Sequence, residues 1–253
     1  MLKNFNLYSG TLESLGNCSL LITTLNAHSY NVAQNDKAFT EALQKSDILI
    51  PDGVSVVWAF RLLTGVQLKK IAGEDLFFYE MNRIETQFIE CENQQNKNGK
   101  VFFLGSNESI LKKIKERAEV EFPHVEVHIY SPPYKSKFTE EEKTDMCAAI
   151  NAVNPDALFI GMTAPKQEKW AFNAISSFQL KIINCHVCCI GAVFDFYAGT
   201  VSRAPQWMIR IGLEWFYRLV KEPKRMWRRY LVGNVKFVLS IIKEKITPNY
   251  EDK

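Results

Sequence analysis

Residues Lys100 to Tyr130 read "KVFFLGSNESILKKIKERAEVEFPHVEVHIY". A short apolar run, "KVFFLG", gives way to a polar turn and then to apolar residues recurring at helical spacing over Glu108–Val120. A second short run, "VEVHIY", follows. Strand, helix, strand is the βαβ unit, and near-continuous apolar strands belong in a parallel sheet covered on both faces. The same alternation extends in both directions. "SLLITT", "DILIP", "DALFIGM" and "IINCHVCCIG" read as four further strands. His28–Leu43, Val54–Leu63, Asp75–Ile89, Thr139–Val153 and Lys166–Phe178 read as helices. "TEEE" at 139–142 has the capping-box form, and Gly65 stands where a helix would end. "CENQQNKNGK" and "SPPYKSKFT" are polar loops. The fold class predicted is α/β with a mostly parallel sheet.

After Asp195 no further strand occurs. Trp207, Met208, Ile211, Trp215 and Leu219 recur at helical spacing. Pro223 suits the first turn of a second helix, striped by Met226, Trp227, Tyr230, Leu231, Phe237, Val238, Ile241 and Ile242. The chain therefore divides into an α/β body, residues 1–195, and a helical appendage, residues 196–253. All six strands precede the appendage, so the body is expected to fold without it.

Charge is distributed as unevenly as structure. Residues 203–245 hold eleven Lys or Arg against three Asp or Glu, a net of +8, which leaves −5 for the rest of a chain whose total is +3. The segment "EWFYRLVKEPKRMWRRY", Glu214 to Tyr230, mixes five aromatic residues with six Lys or Arg. An acidic body with a basic end calls for an anionic partner: nucleic acid, a membrane surface or a phosphate-bearing substrate. The apolar fraction of 47% supports a substantial core. "MLKNFNLYSG" lacks the apolar region of a signal peptide, and "VKFVLSII" is far short of the ~20 residues that cross a bilayer. The six cysteines are read as free thiols in a reducing, cytoplasmic setting, with "CHVCC" a buried strand rather than a metal or redox motif.

In a parallel α/β sheet, ligands bind at the carboxyl ends of the strands. Those ends here carry Thr24-Leu-Asn26, Pro51-Asp52-Gly53, Gly105-Ser106-Asn107, "TAPKQE" and Phe194-Asp195. Each has a structural alternative. Asp52-Gly53 forms ordinary turns, Thr24, Asn26 and "GSNES" can cap helices, and Glu168 at a helix start is favoured by the dipole. No dinucleotide glycine motif, phosphate-loop lysine motif or defensible Ser-His-Asp order is present.

The segments "TTLN", "SDILIPDGVSVVWA", "KKIAGEDL", "FFLGS", "IGMTAPKQEKW" and "GAVFDFYAGTVSRAPQWMIRIGLEWFYRLVKEPKRMWRRYLVGN" together resemble the WecG/TagA/CpsF family of bacterial glycosyltransferases, glycosyltransferase family 26. They run from about residue 20 to residue 234 in the family's order, the last being the most specific. The resemblance implies a Rossmann-like domain of the GT-E type. It also implies inverting transfer of a sugar, such as N-acetylmannosamine or its uronic acid, from a UDP-sugar to a polyprenyl-diphosphate-linked saccharide at the inner face of the cell membrane. Asp52 then matches the base that deprotonates the acceptor, with Thr24 and Asn26 beside it. Lys70, Gly105, Gln167 and Asp195 match substrate-binding positions. Arg218, Arg225 and Arg228 match arginines of the pattern "LEWxxRLxxEPxRxxR", expected to meet the UDP diphosphate in place of a metal, for which no Asp-x-Asp motif is present. Two positions depart: Lys70 stands where the family has arginine, and Thr163 where it has glycine. No cofactor is expected, the appendage is expected to lie on the membrane, and a homo-oligomer is left open. The rival readings are a nucleic-acid binder using the basic aromatic end and an inactive nucleotide-binding regulator.

Overall fold

A computed structural model describes residues 1–90 and 99–247. Its regular elements, in chain order, are β1 (Leu20–Leu25), α1 (Ala27–Ala33), α2 (Lys37–Gln44), β2 (Ile48–Pro51), α3 (Val54–Thr64), α4 (Gly73–Glu90), β3 (Gly99–Gly105), α5 (Glu108–Glu121), β4 (Val125–Tyr130), α6 (Glu140–Val153), β5 (Ala157–Gly161), α7 (Lys166–Ser176), β6 (His186–Cys189) and α8 (Val193–Tyr197). The appendage adds α9 (Gln206–Arg210), α10 (Glu214–Lys221), α11 (Pro223–Trp227), a π turn (Arg228–Val232) and α12 (Gly233–Ile246). Cys91 and most of "CENQQNKNGK" lie outside the described residues.

The six strands form one sheet in the order β2-β1-β6-β5-β3-β4. Every pairing is parallel. The pleat sends alternate residues to opposite faces. Phe103, Phe159 and Cys188 pack on one side with Phe77 of α4 and Ile114 of α5. Phe102, Leu158 and Cys189 pack on the other with Ile150 of α6 and Trp170 of α7. "CHVCC" is thus a buried strand, and burial drives the Cys188 and Cys189 thiols well above their ordinary pKa. The chain leaves β3 in one direction, through α5 to β4, and leaves β5 in the other, through α7 to β6. Oppositely directed connections open a crevice between them at the carboxyl edge of the sheet.

The capping box at Thr139 forms as read, its hydroxyl accepting from Glu142 N–H and the Glu142 carboxylate accepting from Thr139 N–H. Gly65 ends α3 in the left-handed conformation at φ 79°. Two regions differ from the sequence reading. The helix expected over 28–43 is broken, because Asp36 caps a new one through the Phe39 N–H at 3.0 Å. The two helices expected in the appendage become four plus a π turn. Gly212 at φ 77° stops α9, and Pro223, which has no N–H to donate, opens α11.

The appendage is also less detached than the position of the last strand implies. Phe237 and Ile241 of α12 are buried with Leu2, Phe5, Tyr30 and Val56. Glu244 accepts from the N–H groups of Leu2 and Lys3 and from the Tyr30 hydroxyl, at 2.8, 3.0 and 3.0 Å. By contrast Trp207, Ile211, Phe216, Val220, Leu231, Val235, Val238, Leu239 and Ile242 are exposed. No helix among the described residues is long and apolar enough to cross a membrane.

Candidate active site

The carboxyl ends of the strands and the appendage enclose a cavity of about 1680 Å³. Thr24, Asn26, Asp52, Lys70, Gln167, Asp195, Arg218, Arg225 and Arg228 all line it. Gly105 lies just behind, with Ser106 forming the wall instead. Gly105 is at φ 115°, and a Cβ there would come within 2.8 Å of the Gly161 carbonyl. Glycine is therefore required to let the turns after β3 and β5 approach each other, Ser106 N–H donating to that carbonyl at 3.1 Å.

Asp52 follows β2, held by its own N–H donating to Leu25 carbonyl at 2.9 Å, and Gly53 at φ 122° turns the chain into α3. Burial pushes the Asp52 carboxyl up to about 6, and Glu214 of the appendage adds to this, while Lys70, the Asn26 side chain and Arg229 oppose it. A carboxyl titrating there can take a proton near neutral pH. Asn26 performs the capping role the sequence allowed, its Oδ1 accepting from His28 and Ser29 N–H at 3.1 and 3.0 Å. Its amide remains available to Asp52. One side chain thus caps α1 and borders Asp52.

Gln167 and Glu168 are fully buried at the start of α7. Gln167 Oε1 accepts from Met162 N–H at 3.2 Å, and its amide donates to Glu168 Oε1 at 2.9 Å. That fixes the Gln167 amide, and Gly191, at φ 52°, brings backbone close against it. Glu168 Oε2 is buried without a partner, and burial raises this carboxyl to about 7. Glu168 does stand in the first turn of α7, as read, and it is also a buried acid in the cavity wall. Thr163 is exposed at the rim and does not adopt a positive φ, so the missing glycine brings no backbone strain there.

Opposite the sheet, the appendage supplies cations. Arg203 pairs with Glu74 at the start of α4 and lies 3.6 Å from Glu214. Arg225 pairs with Glu222 at 2.7 Å. Arg218 lies over the Phe196 ring at 5.2 Å, its Nε buried and unpartnered. Arg218 and Arg225 both favour the charged form of Asp195, whose pKa burial raises. Arg229, which lies outside the three arginines matched to the family pattern, also lines the cavity and faces Asp52. Both members of the doublet Arg228-Arg229 line the cavity, Arg228 exposed and Arg229 half-buried with its Nε enclosed, and a π turn begins there. Among the described residues, Lys70, Arg218, Arg228 and Arg229 make no hydrogen bond or ion pair with protein. Cationic donors left uncommitted in one cavity with a half-buried carboxyl suit an anion from outside.

The model of the glycosyl transferase WecG/TagA/CpsF family matches residues 10–251. The chain belongs to that family. Family relatives include proteins named N-acetylglucosaminyldiphosphoundecaprenol N-acetyl-beta-D-mannosaminyltransferase. That of Bacillus subtilis strain 168 is 31% identical over 89% of this chain and 80% of its own. That of Bacillus spizizenii is 30% identical over 90% and 81%. That of Staphylococcus aureus strain MW2 is 25% identical over 90% and 82%. As a WecG/TagA/CpsF glycosyltransferase, the chain has nearly all of its body and appendage within the matched region.

Proposed function

We propose that this glycosyltransferase moves an N-acetylmannosaminyl group from a UDP-sugar to a polyprenyl-diphosphate-linked N-acetylglucosamine, inverting the anomeric centre. The observation that carries the reading is the uncommitted set Lys70, Arg218, Arg228 and Arg229 lining one cavity with Asp52, whose carboxyl Lys70 and Arg229 face directly. Asp52 accepts the acceptor hydroxyl's proton as that oxygen attacks the anomeric carbon. The bond from that carbon to the UDP oxygen breaks on the opposite face, and its electron pair leaves with UDP. Arg218, Arg225 and Arg228 meet the charge growing on the diphosphate, the role a metal has in other transferases. Thr24 and Asn26 border the base, and Gln167 and Asp195 border the donor. The exposed apolar residues of α9 to α12, edged by lysines and arginines, lie in the interface of the inner membrane, where the acceptor lipid resides.

The test is UDP release from a panel of UDP-sugars with a short-chain prenyl-diphosphate N-acetylglucosamine acceptor, with and without EDTA. The expected result is acceptor-dependent release from UDP-N-acetylmannosamine that EDTA leaves unchanged. Release from no UDP-sugar would overturn the reading, and an absolute requirement for added Mg²⁺ or Mn²⁺ would overturn the role given to the arginines.

A further inference from the structure

The cavity has two limbs that meet at Asp52. One runs over β6, β5 and β3, past Gly191 and Ser106, to Asp195 with Arg218 and Arg225. The other runs along the groove between α1 and α12, lined by His28, Asn31, Val32, Arg229, Lys236 and Leu239. The first limb accommodates the donor in the reaction described above. The second has no role there, yet its wall holds buried polar atoms without partners.

Asn31 donates its amide to the Gly233 carbonyl at 2.7 Å, which fixes α1 against the start of α12; its buried, unpartnered Oδ1 is an acceptor that suits a ligand hydroxyl and gives nothing to a phosphate oxygen. Arg229 Nε is likewise buried and unpartnered, and the guanidinium makes no ion pair among the described residues. Its position follows from the π turn over Arg228–Val232, a departure from α geometry that is common at functional sites. Burial, and then Arg229 itself, hold His28 neutral, its pKa lowered to about 4, so Arg229 is the cation of this wall and Lys236 the cation at its mouth. Beyond them the groove opens beside Leu239, which is 60% exposed and continues into the apolar surface of α12.

A transferase that joins two diphosphate-bearing substrates must hold both at once. Two dianions on one arginine cluster would repel each other, and separate cations relieve that cost. Resting on the function proposed above, we infer that the α1–α12 limb seats the acceptor's diphosphate on Arg229, with Lys236 at the entrance and the prenyl chain leaving past Leu239 towards the bilayer. Arg218 and Arg225 serve the donor. The acceptor sugar then reaches inward to Asp52.

The experiment is a titration of geranyl diphosphate into the full chain, followed by calorimetry, with and without saturating UDP. Geranyl diphosphate is expected to bind equally well with UDP present. R229Q weakens it roughly 10- to 100-fold, as loss of a charge-assisted contact does, and leaves UDP affinity within about two-fold. R218Q has the reverse effect, and R229K recovers part of the loss. Should R229Q not fold, the exposed Lys236→Gln variant is expected to weaken geranyl diphosphate several-fold on its own. Anionic vesicles without diphosphate lipid separate a true diphosphate seat from general lipid contact, since R229Q leaves their binding unchanged. Displacement of geranyl diphosphate by UDP, a folded R229Q that binds it normally, or equal loss of UDP or vesicle binding would each overturn the assignment. None of these readouts needs turnover. A chain that binds both diphosphates separately but transfers nothing contradicts the proposed reaction alone, whereas transfer with a single shared site contradicts this inference alone.

Discussion

At the scale of residues, two carboxyls, the half-buried Asp52 and the buried Glu168, carry opposite consequences for pH. Asp52 must be ionised to accept a proton, and burial places its pKa at about 6. kcat/KM is therefore expected to climb as pH rises through about 6 and then level off. Asp52→Asn should lower kcat by about 10²–10⁴-fold with UDP affinity and melting temperature little changed; near-normal turnover would remove Asp52 from its role. Glu168 acts on stability. Its folded pKa, about 7, lies above the ordinary 4.5. The native state thus binds the proton more tightly than the unfolded one. Its contribution is most favourable below about 4.5 and declines as pH rises towards 7, by an amount on the order of 3 kcal/mol. Thermal melts of Glu168→Gln should fall less steeply with pH over this range than those of the parent, because glutamine accepts from Gln167 without titrating. Identical slopes would show that Glu168 is solvated in the native state. "PDG" and "PKQE" made both acids visible as residues. Their burial was not visible, because it is contributed by the opposite wall and by the sheet.

At the scale of elements, α12 joins appendage to body. Phe237 meets Tyr30 edge-on at a centroid distance of 5.3 Å and is 3% exposed. Phe237→Ala should cost about 3–5 kcal/mol of stability, as truncation of a buried aromatic does, measured by urea unfolding. A cost under 1 kcal/mol would mean that α12 is docked only loosely. The same packing bears on truncation near Ala198, which removes Phe237 and Ile241 from the cluster around Tyr30 and exposes what remains. The helical periodicity of this segment was legible in the sequence, but the partner of its apolar stripe was not. Part of the stripe faces the body and part faces outward, and a stripe reads the same whether protein or lipid covers it.

At the scale of the whole molecule, one appendage both closes the cavity and carries the exposed apolar surface, and these functions should separate. Replacing Arg218, Arg225 and Arg228 by Ala is expected to leave much of the binding to anionic liposomes. The exposed Val235, Val238, Leu239 and Ile242 remain, as do Lys221, Lys224, Lys236 and Lys243. Transfer should collapse, each lost charge-assisted bond to diphosphate removing about 1.5–3 kcal/mol. Lost liposome binding with turnover retained on a soluble acceptor would reduce these arginines to anchors. The sequence by itself determined the alternation of strands and helices, the parallel sheet, the family pattern and the residues at the strand ends. All of these follow from periodicity, turn chemistry and short motifs, which act over a few neighbouring residues. Only the tertiary structure decided that Arg229 faces Asp52 in the cavity, that Glu168 is buried beside Gln167, and that α12 packs on α1. Some of those contacts join residues 202 or 214 positions apart, set by how sheet, turns and helices fill one volume, and no local pattern encodes them.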